Sequence, residues 1–144
     1  MKRIPRRSGS RDVPVYETRT QGVLVRVAAT YSPEQSDPDE GDFFWVYTVE
    51  IENHGKEAVQ LVSRRWVITD AQNRVQVVSG PGVVGEQPEL QPGEAFRYSS
   101  GCPLKTPSGA MRGTYQMVTG AGQPFDAEIP EFSLHLPGAG RLVN

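Results

Sequence analysis

Three groups of residues in this 144-residue chain have the types and spacing that chemistry would need. Gly80, Gly82 and Gly85 stand at G-x-G-x-x-G spacing inside the stretch Val78–Tyr98, the only cofactor-like signature in the sequence. Such glycines permit a tight turn after a strand, and the loop then opens a helix whose N-terminal N–H groups meet a pyrophosphate. The strand is plausible, because Arg74-Val75-Gln76-Val77-Val78 is rich in β-branched residues. The helix is not: Pro88 and Pro92 interrupt its first turns, and Pro81 removes a backbone donor. The loop is therefore read as a crossover that keeps φ > 0 positions and carries Val83 and Val84 against the core. Recognition of a pyrophosphate-containing nucleotide, or of Mg or Co, through Gly80, Gly82 and Gly85 is the alternative.

The second group is Arg64, Arg65 and Trp66, which mix charge and aromaticity within one strand, as binding hot spots do. Alternation puts Arg64 and Trp66 on one face and Arg65 on the other. They are candidate partner-binding residues; the competing reading makes Trp66 a core residue and pairs an arginine with an acid. The third group falls short of any chemistry. One cysteine, Cys102, and two histidines, His54 and His135, are too few for a zinc site. Cys102 reads as a small buried hydrophobe. The acidic run Glu34, Asp37, Asp39, Glu40, Asp42, aligned as a calcium loop from Asp37, puts Gly41 at the fifth position and Thr48 at the twelfth, so it reads as a solvated loop. With no G-x-S-x-G elbow and no P-loop lysine, no catalytic residue, metal or cofactor is expected, and the chain is read as not an enzyme.

The elements that would position these residues are strands. Phe43, Trp45, Tyr47, Val49 and Ile51 fall on one face of a period-two pattern, the clearest in the chain. Val23, Val25 and Val27 alternate with Leu24, Arg26 and Ala28. Val59–Asp70, the stretch ending at Val78, Ala95–Ser100, Met111–Val118 and Phe125–Leu136 complete the set. Asn53-His54-Gly55-Lys56 reads as a hairpin turn, and Asp70-Ala71-Gln72-Asn73 as another. The last strand changes phase: Phe125, Ala127 and Ile129 are odd, whereas Phe132, Leu134 and Leu136 are even. A bulge at Ile129-Pro130-Glu131 on an edge strand reconciles them. After residue 80 the longest run without Gly or Pro is Glu94–Ser100, too short for an average helix of about 11 residues. These patterns predict an all-β, antiparallel two-sheet sandwich of about seven strands with immunoglobulin-like topology over residues 13–137.

Charge and hydropathy bound the rest. Residues 1–11 hold Lys2, Arg3, Arg6, Arg7 and Arg11 with no acid, yet the whole chain carries a formal charge of −2, so the body is acidic. A nucleic-acid-binding face is not expected on such a body. Residues 1–12 are read as a basic, flexible arm and 138–144 as a flexible tail. Mean hydropathy is −0.46 and no window approaches the roughly 18 apolar residues of a membrane span. The lone cysteine and the lack of an apolar leader core fit the cytoplasm.

Several long motifs carry a family likeness. Ser63–Asp70 (SRRWVITD), Gly82–Pro88 (GVVGEQP), Tyr98–Leu104 (YSSGCPL), Met111–Met117 (MRGTYQM) and Ile129-Pro130 before Phe132 resemble the ApaG family over roughly residues 15–137. The resemblance implies a fibronectin type III-like sandwich and a protein-interaction module. Family members occur as small bacterial proteins and as domains of eukaryotic F-box and polymerase-interacting proteins. It also implies a pyrophosphate motif at Gly80, Gly82 and Gly85 and an association with cobalt and magnesium resistance. The function expected is binding of one or more protein partners, as a monomer or as a homodimer through a sheet edge, without membrane or specific nucleic acid.

Overall fold

The computed structural model describes residues 13–137; the basic arm and the flexible tail expected at 1–12 and 138–144 lie outside the described residues. Nine strands follow in chain order: β1 (Tyr16–Thr20), β2 (Val23–Tyr31), β3 (Phe43–Asn53), β4 (Val59–Asp70), β5 (Val75–Pro81), β6 (Glu89–Leu90), β7 (Ala95–Leu104), β8 (Gly109–Thr119) and β9 (Pro124–Leu134). Among the described residues the only helical pieces are 3-10 turns at Pro33–Gln35 and Pro38–Glu40. One antiparallel sheet has the order β1-β2-β3-β7, the other β5-β4-β8-β9, with β6 continuing the β5 side of β4. The expected two-sheet sandwich is thus the fold. Two strands beyond the expected seven are β1, whose inward residues are only half buried, and β6, two residues confined between Pro88 and Pro92.

Alternation sets the core. Trp45, Tyr47, Val49 and Ile51 of β3 are all buried and face Trp66, Tyr115 and Phe132 of the second sheet. Trp66 sits at the centre, edge-on to Tyr47 (centroids 5.2 Å), Phe132 (6.0 Å) and Tyr115 (6.5 Å). Each such ring, removed from water, contributes about 3 kcal/mol of transfer free energy. The phase change in β9 is a bulge: Met111 pairs with Phe132 and Gly113 with Ile129, so Pro130 and Glu131 together oppose Arg112. Ala127, Ile129, Phe132 and Leu134 all therefore point inward and are buried.

One connection departs from the expected hairpin. After Asn53 the chain crosses from the first sheet to the second. The buried Asn53 amide fixes that crossing: Nδ2 donates to Glu57 O and Leu90 O (both 2.9 Å), and Oδ1 accepts from Gly55 N (2.9 Å). The two long sides of the sandwich also differ. Where β1 meets β9, Glu128 N donates to Thr20 Oγ1 (3.1 Å) and the Tyr16 and Ser133 hydroxyls share a 3.3 Å bond. On the opposite side β5 and β7 end their sheets with no ladder between them.

Candidate functional site

The glycine loop and the Arg64 cluster, read separately in the sequence, meet on that open side. β5 pairs antiparallel with β4, placing Gly80 beside Arg64 and Val78 beside Trp66. A Cβ on Gly80 would stand 3.1–3.3 Å from the Arg64 guanidinium, so the bare glycine lets that group lie against β5. Arg64 Nη1 donates to Pro81 O (3.0 Å) and to Gly82 O (2.8 Å). The loop offers oxygens to a cation here, where a phosphate cradle would offer N–H groups to an anion.

Three of its amides are already committed. Gly82 N donates to Val62 O (2.8 Å), Val83 N to Glu86 O (2.8 Å) and Glu86 N to Val83 O (2.9 Å). The last two bonds close a narrow hairpin, and no helix follows. Val84 (φ 42°) and Gly85 (φ 83°) occupy its two central positions in the left-handed region, the pattern of a type I′ turn. Val83 enters the core, but Val84, expected to join it, is 55% exposed because the hairpin tip turns outward. Gly82 (φ 59°) is sterically required, since a Cβ there would lie 2.2 Å from Glu86 O. Gly85 only completes the turn.

Trp66 is a core residue, 3% exposed, and Arg65 stands on the opposite, outer face. Arg64 does not pair with an acid: among the described residues no carboxylate lies within ion-pair distance, and its bonds go to the two carbonyls instead. It lines a cavity of about 250 Å³ between the sheets, together with Tyr47, Trp66, Gln76, Ser100 and Cys102. Ile68, Gln76 and Pro103 also line a broader groove of about 580 Å³, rimmed by the paired charges Asp42–Lys105 and Asp70–Arg74.

The sequence reading missed the phenols beside this cavity. Tyr98 and Tyr115 hydroxyls are 2.5 Å apart, and burial pushes the pKa values of both, and of Tyr47, above the ordinary tyrosine value. Burial likewise pushes the Cys102 thiol up to about 11. These groups are therefore neutral near pH 7 and do not offset the Arg64 charge. Cys102 has no histidine beside it: His54 bonds Glu52 (2.7 Å) and His135 bonds Ser133 (3.1 Å). Among the described residues no three of His, Cys, Asp and Glu converge as a metal would need, and the acidic run folds into the two 3-10 turns. Among the described residues Trp66 Nε1 is the buried side-chain donor left without a partner, a state that costs about 1–3 kcal/mol.

A profile of the ApaG domain matches residues 33–119, more than half of the chain. The chain belongs to the ApaG family. Protein ApaG of Caulobacter vibrioides is 65% identical over 139 residues, covering 96% of this chain and 99% of that protein. Protein ApaG of Beijerinckia indica is 53% identical over 130 residues, 90% of this chain and 100% of that protein. The crystal structure assigned to an ApaA protein of Bordetella pertussis superposes with a TM-score of 0.78 at 53% identity, covering 80% of this chain and 94% of that one. The glycine hairpin, Arg64 and the residues lining the cavity all fall inside the ApaG match.

Proposed function

We propose that this ApaG protein is a non-catalytic docking module that receives an extended segment of a partner protein along the outer edge of β5. The observation that carries the reading is the edge itself. β5 ends its sheet, and Val75 and Val77 stand 62% and 51% exposed on it. An unpaired edge is a template for another strand, and sheets ordinarily blunt one with charge or proline. Neither occurs between Val75 and Gly80. Arg65 and Arg112 lie on the neighbouring outer face without an acidic partner among the described residues. Their charge favours a segment in which apolar residues alternate with Asp or Glu. Docking ranks above pyrophosphate recognition because three of the loop's amides are spent on Val62 and on its own hairpin, and above metal-cation recognition because Arg64 takes the Pro81 and Gly82 carbonyls. A reducing, cytoplasmic setting suits the unpaired Cys102.

The test immobilises wild type and Val77→Lys in parallel and exposes both to native-cell extract. A discrete protein held by wild type and lost by the variant is expected, and adding it should slow hydrogen exchange at Val75–Ser79. A partner held equally by both, or one that leaves those amides unchanged, would reject the edge as the docking surface.

A further inference from the structure

The cavity on the open side holds an uncompensated cation. Arg64 is half buried there, and both of its hydrogen bonds use Nη1, on Pro81 O and Gly82 O. That leaves Nε and Nη2 without a hydrogen-bond partner among the described residues. The Nε–Nη2 side of a guanidinium is a two-donor fork that matches the spacing of carboxylate oxygens. No carboxylate lines the cavity. Its other polar lining is the Ser100 and Tyr47 hydroxyls and the Gln76 amide, all able to donate. Trp66 lies in the same wall, and its indole N–H, itself sealed from solvent, has no partner among the described residues. A charge removed from water is ordinarily paired, so an arginine that pins a loop with one nitrogen and leaves two facing no acid is half of an unfinished pair.

The apolar lining describes the rest of the ligand. Tyr47 and Trp66 present aromatic surface, Met111 a polarizable thioether, and Ile68 and Val78 branched aliphatic walls. At about 250 Å³ the space falls just below the usual range of ligand sites and has room for no more than a single ring with one substituent.

We propose that the cleft bounded by Arg64, Trp66, Gln76 and Ser100 is a binding site for a small carboxylate carried on a flat apolar body. The carboxylate takes the Nε–Nη2 side of Arg64, and the ring lies against Tyr47, Trp66 and Met111. Gly80 then has a second consequence: by letting the guanidinium rest on β5, it holds the fork at the cavity wall instead of in solvent.

Sodium benzoate is the probe, read by the two indole N–H resonances of uniformly ¹⁵N-labelled protein. Trp45 Nε1 donates to His135 O (2.9 Å) and serves as the internal reference. Titration should move the Trp66 resonance saturably and leave that of Trp45 in place. Benzyl alcohol, of the same shape without the charge, should bind at least roughly tenfold more weakly. Binding should vanish in Arg64→Met. It should also vanish in Ser100→Leu, which fills the cavity while leaving Arg64 and its loop bonds intact. An unmoved Trp66 resonance, equal affinity for benzyl alcohol, or undiminished binding by Ser100→Leu would overturn the site.

Discussion

Where β1 meets β9, the edge amide of Glu128 donates to Thr20 Oγ1, Tyr16 bonds Ser133, and the Tyr16 ring packs 6.4 Å from Phe132. Where β5 faces β7, the valines of an edge strand are exposed and Val84 holds a left-handed conformation, while among the described residues Arg64 has no acid and Trp66 Nε1 no partner. Both sides close off the same core with antiparallel strands. The difference lies in what each leaves unmet. A β-branched residue at φ 42° and an orphaned indole lower stability, and features of that kind gather where a molecule works. One side of the sandwich has these edge groups met, and the other leaves them unmet among the described residues.

The comparison breaks most readily at the β1–β9 side. Phe132→Ala removes a ring that touches Tyr16, Tyr47 and Trp66 and should lower unfolding free energy by about 3–5 kcal/mol in a denaturant titration; a loss under about 1 kcal/mol would deny that this side is tightly packed. On the open side Gly82→Ala should cost at least about 2 kcal/mol, because φ is 59° and the new methyl meets Glu86 O. The sign reverses two residues on. Val84→Asn keeps the turn while relieving the branched side chain, and should raise stability by about 1 kcal/mol; a fall would show that the hairpin is not strained at its tip. Val77→Lys should change stability by no more than about 0.5 kcal/mol, as expected of a residue that is exposed and packs little.

The smallest effect belongs to the outer face of the first sheet, away from both sides. Burial pushes the Glu52 carboxyl up, but hydrogen bonds from His54 and Arg26 outweigh it and hold the folded-state pKa below its ordinary 4.5. The carboxylate thus favours the folded state above about pH 4.5, and that contribution should fade as pH falls further towards the folded value. Glu52→Gln should remove part of the acid sensitivity of the melting temperature, the gap between variant and wild type narrowing as pH falls below about 4.5.

Much of this was written in the sequence residue by residue. The alternation of Phe43–Asn53 and the broken phase around Pro130 both survive folding, because period-two burial is a local property. The route after Asn53 was not legible. A turn signal specifies a bend and not which sheet the next strand joins; that was decided by Asn53 reaching Leu90, 37 residues on. The meeting of Arg64 with Gly80 was available in principle. Pairing Thr69 with Val75 across the Asp70–Asn73 turn sets the register that brings them together. What no count of residues could supply was the direction of the loop's carbonyls, since the same glycines allow either N–H or C=O to face inward.

The seal along β9 bears on how copies of this chain could associate. Its outward Glu128 amide is taken by Thr20, and β1 packs along it, so β9 is the more covered of the two margins of the sheet that contains β5. Growth of one sheet by strand addition needs two free margins, and the Thr20 contact hinders one of them at Glu128. Pairing of β5 with β5 of a second copy would be self-matching and would stop at two, whereas pairing of β5 with the β7 edge would not close on itself.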